Sequence, residues 1–105
     1  MPDFLFPGAT DYHDPSYPAD RLVMLGVKST CKDRWRQVLA EADRIETKHL
    51  LTLEPRLSKA QVSEMASRRV TPVLPAPLIE SIASEQQGLV LDVRSFISEV
   101  RQRLG

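Results

Sequence analysis

Asp3, Lys28 and Glu41 are of types that together suit one chemistry, the metal-assisted hydrolysis of a phosphodiester. Two carboxylates can hold Mg²⁺, a hard cation that prefers oxygen ligands. Such an ion polarises a phosphoryl oxygen and lowers the pKa of a bound water. A lysine beside it orients the attacking water and neutralises charge that develops on the phosphate. Glu41 lies 13 residues after Lys28. On a helix over 31–45 it falls within about 20° of Arg34, on the flank of the apolar stripe. From there it can look across the helix–sheet edge toward the strand ends. Singly, each residue has a plainer role: Asp3 as an exposed strand-end residue, Lys28 as a solvated strand terminus, Glu41 as a surface helix residue. One Asp, one Lys and one Glu at loose spacing occur by chance in most proteins.

The elements that must position these residues follow from patterning. Residues 2–6, Pro-Asp-Phe-Leu-Phe, read as a strand stopped by Pro7-Gly8. Residues 9–20 are polar, contain Pro15 and Pro18, and read as a loop. The nearly continuous apolar run over 21–28 predicts a strand buried on both faces, with Lys28 at its exit. Trp35, Val38, Leu39, Ala42 and Ile45 follow helical spacing and predict a helix over 31–45, with Thr30 and Asp33 resembling a capping box. A strand is expected over 48–53 and a helix capped by Ser58 over 59–68. A strand over 70–74 should end at Pro75 and Pro77, and a short helix over 78–86 should stop at Gly88. Asp92 caps a last helix whose stripe is Val93, Phe96, Ile97, Val100 and Leu104. Strands alternating with helices imply an α/β layer with at least partly parallel strands.

The chain has 105 residues, which allows one domain, and its hydrophobic fraction of 42% can supply a core. No apolar run is long enough to span a bilayer, and the opening MPDFLFPGATDYHD lacks the basic region of a signal peptide. A lone cysteine, Cys31, excludes an internal disulfide and argues against a zinc cluster. A single cytoplasmic domain with no membrane contact is expected. The 14 Lys+Arg balance the 14 Asp+Glu, but not evenly along the chain. Asp3, Asp11, Asp14 and Asp20 stand in residues 1–20 with no basic partner. Arg21, Lys28, Lys32, Arg34 and Arg36 then face Asp33 alone within 21–36. An acidic block running into a basic one suits a cation beside a phosphate backbone. Mutual neutralisation of two adjacent surface segments explains the same pattern.

The string Pro2-Asp3-Phe4-Leu5-Phe6-Pro7-Gly8, with Leu25-Gly26-Val27-Lys28-Ser29-Thr30-Cys31-Lys32-Asp33-Arg34-Trp35-Arg36-Gln37-Val38-Leu39, resembles the catalytic domain of the EcoRII-type restriction endonucleases. These belong to the PD-(D/E)xK nuclease superfamily. The resemblance continues through 41–45 and 48–53 and covers residues 2 to about 80. It implies a mixed α/β sheet flanked by helices, of the restriction-endonuclease kind. Asp3 resembles the Asp of the PD motif and Lys28 the motif lysine. Gly26 stands where the textual motif has an acid, and Glu41 matches the residue that supplies the carboxylate from the following helix in this branch. Tyr12 falls where the family places a tyrosine near the active site.

Lys32, Asp33 and Arg34 match the family's recognition element for a CC·GG half-site, and Arg36 joins them in the DNA-binding set that the resemblance implies. Lys and Arg can donate to guanine O6 and N7, and Asp can accept from cytosine N4. A solvated first helical turn is the plainer role. The resemblance implies Mg²⁺-dependent cleavage of duplex DNA by a homodimer, leaving 5′-phosphate and 3′-hydroxyl ends, in a restriction system with a partner methyltransferase. It also implies a departure. Asp3 is the third residue, whereas the family carries a substantial segment before this motif. A single partial catalytic domain over 1–105, incomplete at its N-terminus and with an exposed sheet edge, is therefore expected. A catalytically silent DNA-binding or dimerising remnant is the alternative.

The remaining candidates have structural readings. His13 and His49 are far apart and suit surface or core roles. Cys31 reads as a reduced, partly buried thiol, Trp35 as core, and Arg101 and Arg103 as the solvated side of the terminal helix.

Overall fold

The computed structural model describes residues 2–29, 34–54 and 57–105. Among the described residues, five strands form one sheet in sequence order: β1 (Phe4–Phe6), β2 (Val23–Lys28), β3 (Lys48–Thr52), β4 (Val70–Leu74) and β5 (Leu91–Asp92). β1 runs antiparallel to β2, with Phe4 opposite Leu25 and Phe6 opposite Val23. β2 to β5 are parallel, with Lys28 opposite Thr52 at the carboxyl ends of β2 and β3. The expected mixed α/β sheet is therefore the architecture found.

The crossovers pack on one face of the sheet. Leu22, Met24, Leu50, Val70 and Leu74 of the strand segments meet Trp35, Val38, Ile45, Val62, Met65 and Ile82 in one buried cluster. A fully buried side chain such as Val38 contributes about 1.5–3 kcal/mol relative to an exposed one. The other face carries α4 (Val93–Leu104), where Phe96 and Val100 cover Val23, Leu25 and Val73. α2 (Lys59–Ser67) begins with a capping box. Ser58 Oγ accepts from Gln61 N, and Gln61 Oε1 accepts from Ser58 N. Asp92 caps α4 by accepting from Ser95 N at 2.7 Å.

Several expectations needed correction. The segment 9–20 is not all loop: α1 (Ala9–His13) forms one helical turn, closed by Tyr12 N donating to Gly8 O at 3.1 Å, and a 3-10 turn follows at Ala19–Arg21. The helix expected over 31–45 is a 3-10 helix over Arg34–Ala40 that ends before Glu41. Ala42 adopts φ 52°, which turns the chain out of the helix, and Lys48 Nζ donates to the carbonyls of Ala42 and Ile45 at 2.6 Å each. The stripe residues Trp35, Val38, Ala42 and Ile45 are buried all the same. The helix expected over 78–86 is replaced by α3 (Ala76–Ile79) and a 3-10 helix over Ser84–Leu89, and β5 follows. In α4 only two of the five stripe residues, Phe96 and Val100, are buried: Val93, Ile97 and Leu104 are exposed. Val27, expected to be buried, is also exposed.

Candidate active site

The carboxyl end of β2 gathers the residues singled out first. Asp3 precedes β1, and continuing the antiparallel register by one step sets it opposite Gly26. Its Oδ2 accepts a hydrogen bond from Val27 N at 2.6 Å, which fastens the carboxylate over the end of β2. Glu41 follows the 3-10 helix, held by its own N–H donating to Val38 O at 3.1 Å. A Cβ built on Gly26 would lie 3.5 Å from Glu41 Oε1 and 2.9 Å from Val38 Cγ2. Glu41 therefore brings its carboxylate to the place from which an acidic side chain at position 26 would project. The close approach also explains the glycine, because any side chain there would collide with Val38.

Lys28 is the last residue of β2, half-buried, and two positions beyond Gly26. Side chains alternate along a strand, so it shares the Gly26 face and the side of the sheet on which Glu41 lies. The structure thus brings Asp3 and Glu41 to consecutive residues of β2, directly before Lys28. Among the described residues, no cluster of three or more His, Cys, Asp or Glu forms a metal cage. A pair of carboxylates matches a different requirement. Mg²⁺ is commonly held by one or two carboxylates, with waters and substrate phosphate completing its shell.

The other predicted residues fall in different places. Tyr12 is half-buried in α1, its ring against the main core cluster, and its hydroxyl accepts from Arg44 N at 3.4 Å. Arg34 opens the 3-10 helix and is exposed. Arg36 stacks on Trp35, with its guanidinium carbon 4.8 Å from the ring centroid, and pairs with Glu64 of α2. Its charge is thus already met within the chain. Lys32, Asp33 and Cys31 lie outside the described residues. Trp35 is core, as expected, and so is His49. The exposed His13 lies against Tyr12, with ring centroids 5.2 Å apart.

Two basic residues near the site carried no signal in the periodicity. Lys48 is buried at the start of β3, and burial pushes its pKa below the usual lysine value, opposed by the charges of Asp43 and Glu41. Arg44 spreads its guanidinium over the segment that follows β1, donating to the carbonyls of Tyr12, Asp14 and Tyr17. A lysine six residues after Ala42, beyond a turn with positive φ, has no helical spacing that would mark it.

Among the described residues, a five-stranded mixed sheet with Asp3 and the turn-borne Glu41 at consecutive residues of β2, next to the strand-end Lys28, defines a restriction-endonuclease-like domain. The EcoRII C terminal family model matches residues 1–97, and the chain belongs to that family. The type II restriction enzyme EcoRII of Escherichia coli is 46% identical over 99 residues, a match that covers 94% of this chain and 24% of the enzyme. Two solved structures share the fold: metal-depleted Ecl18kI in complex with uncleaved, modified DNA, and the same protein with uncleaved DNA. Each superposes with a TM-score of 0.78 at 19% identity, covering 94% of this chain and 33% of the other. The chain thus spans about a quarter of the length of the curated relative and a third of the solved chains.

Proposed function

We propose that the chain is the catalytic portion of a type II restriction endonuclease that hydrolyses phosphodiester bonds in duplex DNA with Mg²⁺. The observation that carries this reading is the meeting of Asp3 and Glu41 on Val27 and Gly26, next to Lys28. Membership of the EcoRII C terminal family supports it. Asp3 and Glu41 would hold the ion. When bound, Mg²⁺ supplies Lewis-acid polarisation and an activated water. Lys28 donates to the scissile phosphate as negative charge builds there, and it orients the attacking water. Water adds to phosphorus, the bond to the 3′ oxygen breaks, and 5′-phosphate and 3′-hydroxyl ends remain. Tyr12 acts at the margin of this site through the segment that follows Asp3.

Recognition of CC·GG-containing sites is assigned to Lys32, Asp33 and Arg34, while Arg36, two residues on, is paired with Glu64. A site whose two halves are related by a two-fold axis calls for two copies of the reading surface, hence a homodimer. A DNA substrate places the activity in the cytoplasm. The test pairs cleavage with binding. Supercoiled plasmid carrying CC·GG sites is incubated with the chain and Mg²⁺, and duplex binding is measured separately in Ca²⁺. Linear product with 5′-phosphate ends is expected. Specific binding without cleavage would instead identify a silent DNA-binding module. Arg34→Ala is expected to weaken site binding by about 1–3 kcal/mol and to relax the preference over random duplex. Unchanged affinity and preference would remove Arg34 from the reading surface.

A further inference from the structure

The two carboxylates of the candidate site arrive on different segments: Asp3 at the entry to the edge strand β1, Glu41 on a turn outside the sheet. Asp3 stands before β1, a three-residue edge strand, and the chain then runs through α1 and the 3-10 turn at Ala19–Arg21 before entering β2. Neither of these short helices buries a residue. Apolar packing there is limited to the half-buried Tyr12 and Tyr17. Glu41 stands on a turn rather than on a helix, because the 3-10 helix ends at Ala40. The β1–β2 ladder and Val27 N hold Asp3, but the turn that carries Glu41 needs side-chain contacts to set its place relative to the segment after β1.

Arg44 links them. It lies three residues after Glu41 and is half-buried. Its Nη1 donates to the Tyr12 carbonyl, to Asp14 O at 3.1 Å and to Asp11 O at 3.4 Å. Its Nη2 donates to Tyr17 O at 2.6 Å. The guanidinium carbon lies 5.7 Å from the Tyr12 ring centroid, within cation–π range. The backbone N–H of Arg44 also donates to the Tyr12 hydroxyl at 3.4 Å. One side chain thus serves carbonyls spread over 11–17, a segment whose other recorded hydrogen bonds are local, between residues two to four apart. The turn that bears Arg44 is itself anchored: Lys48 Nζ holds Ala42 O and Ile45 O at 2.6 Å, and Ile45 is buried. A continuous path therefore runs from β3 through Lys48, the 42–45 turn and Arg44 to the segment joined to Asp3.

We propose that Arg44 is a positioning residue of this site, locking the segment after Asp3 to the turn that carries Glu41 so that the two carboxylates face the same ion. The proposal deepens the two-carboxylate reading and rests on it. Geometry selects arginine for the task. A planar guanidinium has five donors in a fixed fork and reaches several carbonyls at once, whereas a lysine ammonium is a compact point with three.

The test measures position and metal affinity separately. The Val27 amide, whose acceptor is Asp3 Oδ2, reports whether the Asp3 segment is seated. Its hydrogen-exchange rate is read by NMR relative to that of Leu50, a core amide in β3, for the parent, Arg44→Ala, Arg44→Lys and Val100→Ala. Val100, on the opposite face of the sheet, supplies a variant that lowers stability without touching the clamp. Arg44→Ala should raise the Val27 rate relative to Leu50, as expected for local opening, while Val100→Ala moves both rates together. Mn²⁺, which takes the same oxygen ligands, is then titrated into each protein. Its affinity should fall about tenfold or more in Arg44→Ala and stay near the parent value in Val100→Ala. Arg44→Lys should recover only part of either loss.

An unchanged Val27-to-Leu50 ratio in Arg44→Ala overturns the proposal, as does full recovery by Arg44→Lys, which would make charge rather than the fork the cause. A parent chain that binds no Mn²⁺, with the Val27 ratio still altered by Arg44→Ala, refutes the two-carboxylate reading and leaves the lock between the segments standing.

Discussion

Lys28 and Lys48 sit at opposite ends of neighbouring parallel strands and have opposite fates. Lys28 leaves the carboxyl end of β2 half-buried, on the face where Glu41 lies. Lys48 enters the amino end of β3 with 6% of its surface exposed, and its ammonium is spent on two backbone carbonyls. The same side chain is available for chemistry in one place and serves as a structural cross-link in the other. What separates them is the backbone nearby. In the turn at 42–45 the Ala42 carbonyl accepts from Ile45 N at 2.9 Å and from Lys48 Nζ, and Ile45 O accepts from Lys48 Nζ; a buried carbonyl without a donor costs about 1–3 kcal/mol. The end of β2 presents carboxylate side chains instead, and these suit a cation.

The largest effect that distinguishes the two lysines is catalytic. Lys28→Met is expected to lower plasmid cleavage by about 100-fold or more, on the scale of losing a donor to a developing oxyanion. Its unfolding midpoint and its duplex binding in Ca²⁺ should stay close to the parent values. A variant that cleaves at the parent rate would place the working lysine elsewhere.

The converse substitution acts on the fold. Lys48→Met removes the ammonium from Ile45 O and leaves Ala42 O with the Ile45 N–H alone, and about 1–3 kcal/mol of stability should be lost in urea titration. If stability is unchanged, the cross-link is idle and the contrast with Lys28 fails.

A third substitution tests the close approach at the site itself. Gly26→Ala brings a methyl group to 2.9 Å from Val38 Cγ2, so the 3-10 helix must shift away from β2. Overpacking of this kind costs about 1–3 kcal/mol, at the lower end where the neighbour can give. Glu41 moves with that helix, so cleavage should fall more steeply than stability. Thermal unfolding and plasmid cleavage on the same preparation separate the two losses.

The smallest effect concerns pH. His49 is 3% exposed beside Phe96, and burial holds its pKa below 6.5, with Glu99 opposing the shift and Arg103 adding to it. The unfolded chain therefore takes up the proton first as pH falls. This contribution to stability is complete above about pH 6.5 and declines as the pH drops toward the folded-state pKa. His49→Phe should flatten the stability profile over that window. An unaltered slope would assign the acid sensitivity to other groups.

Much of this contrast was absent from local spacing. The apolar stripe picked out Trp35, Val38, Ala42 and Ile45 correctly as core, yet it implied a helix that continues past Glu41. The Ser58 and Asp92 caps were readable because capping acts within three residues. Lys48 and Arg44 were not: the carbonyls that Lys48 meets face it only once the chain turns at Ala42, and those that Arg44 meets belong to the distant segment 11–17. The acceptors of Arg44 lie 27–33 residues away, and those of Lys48, though only three and six residues away, depend on an irregular turn that no periodicity encodes.

The sequence by itself determined the family, the positions of the first four strands and of the helices capped by Ser58 and Asp92, and most of the face that the crossovers bury. These depend on side-chain type and on neighbours a few positions away. Tertiary structure alone decided that Glu41 stands on a turn beside Gly26, that Asp3 reaches Val27, and that Arg36 pairs with Glu64. It also decided that α4 buries Phe96 and Val100 while leaving Val93 and Ile97 in solvent. The physical reason is range: propensity and amphipathic spacing act within one or two helical turns, whereas a carboxylate's position depends on which strands pair and on which backbone groups need a donor.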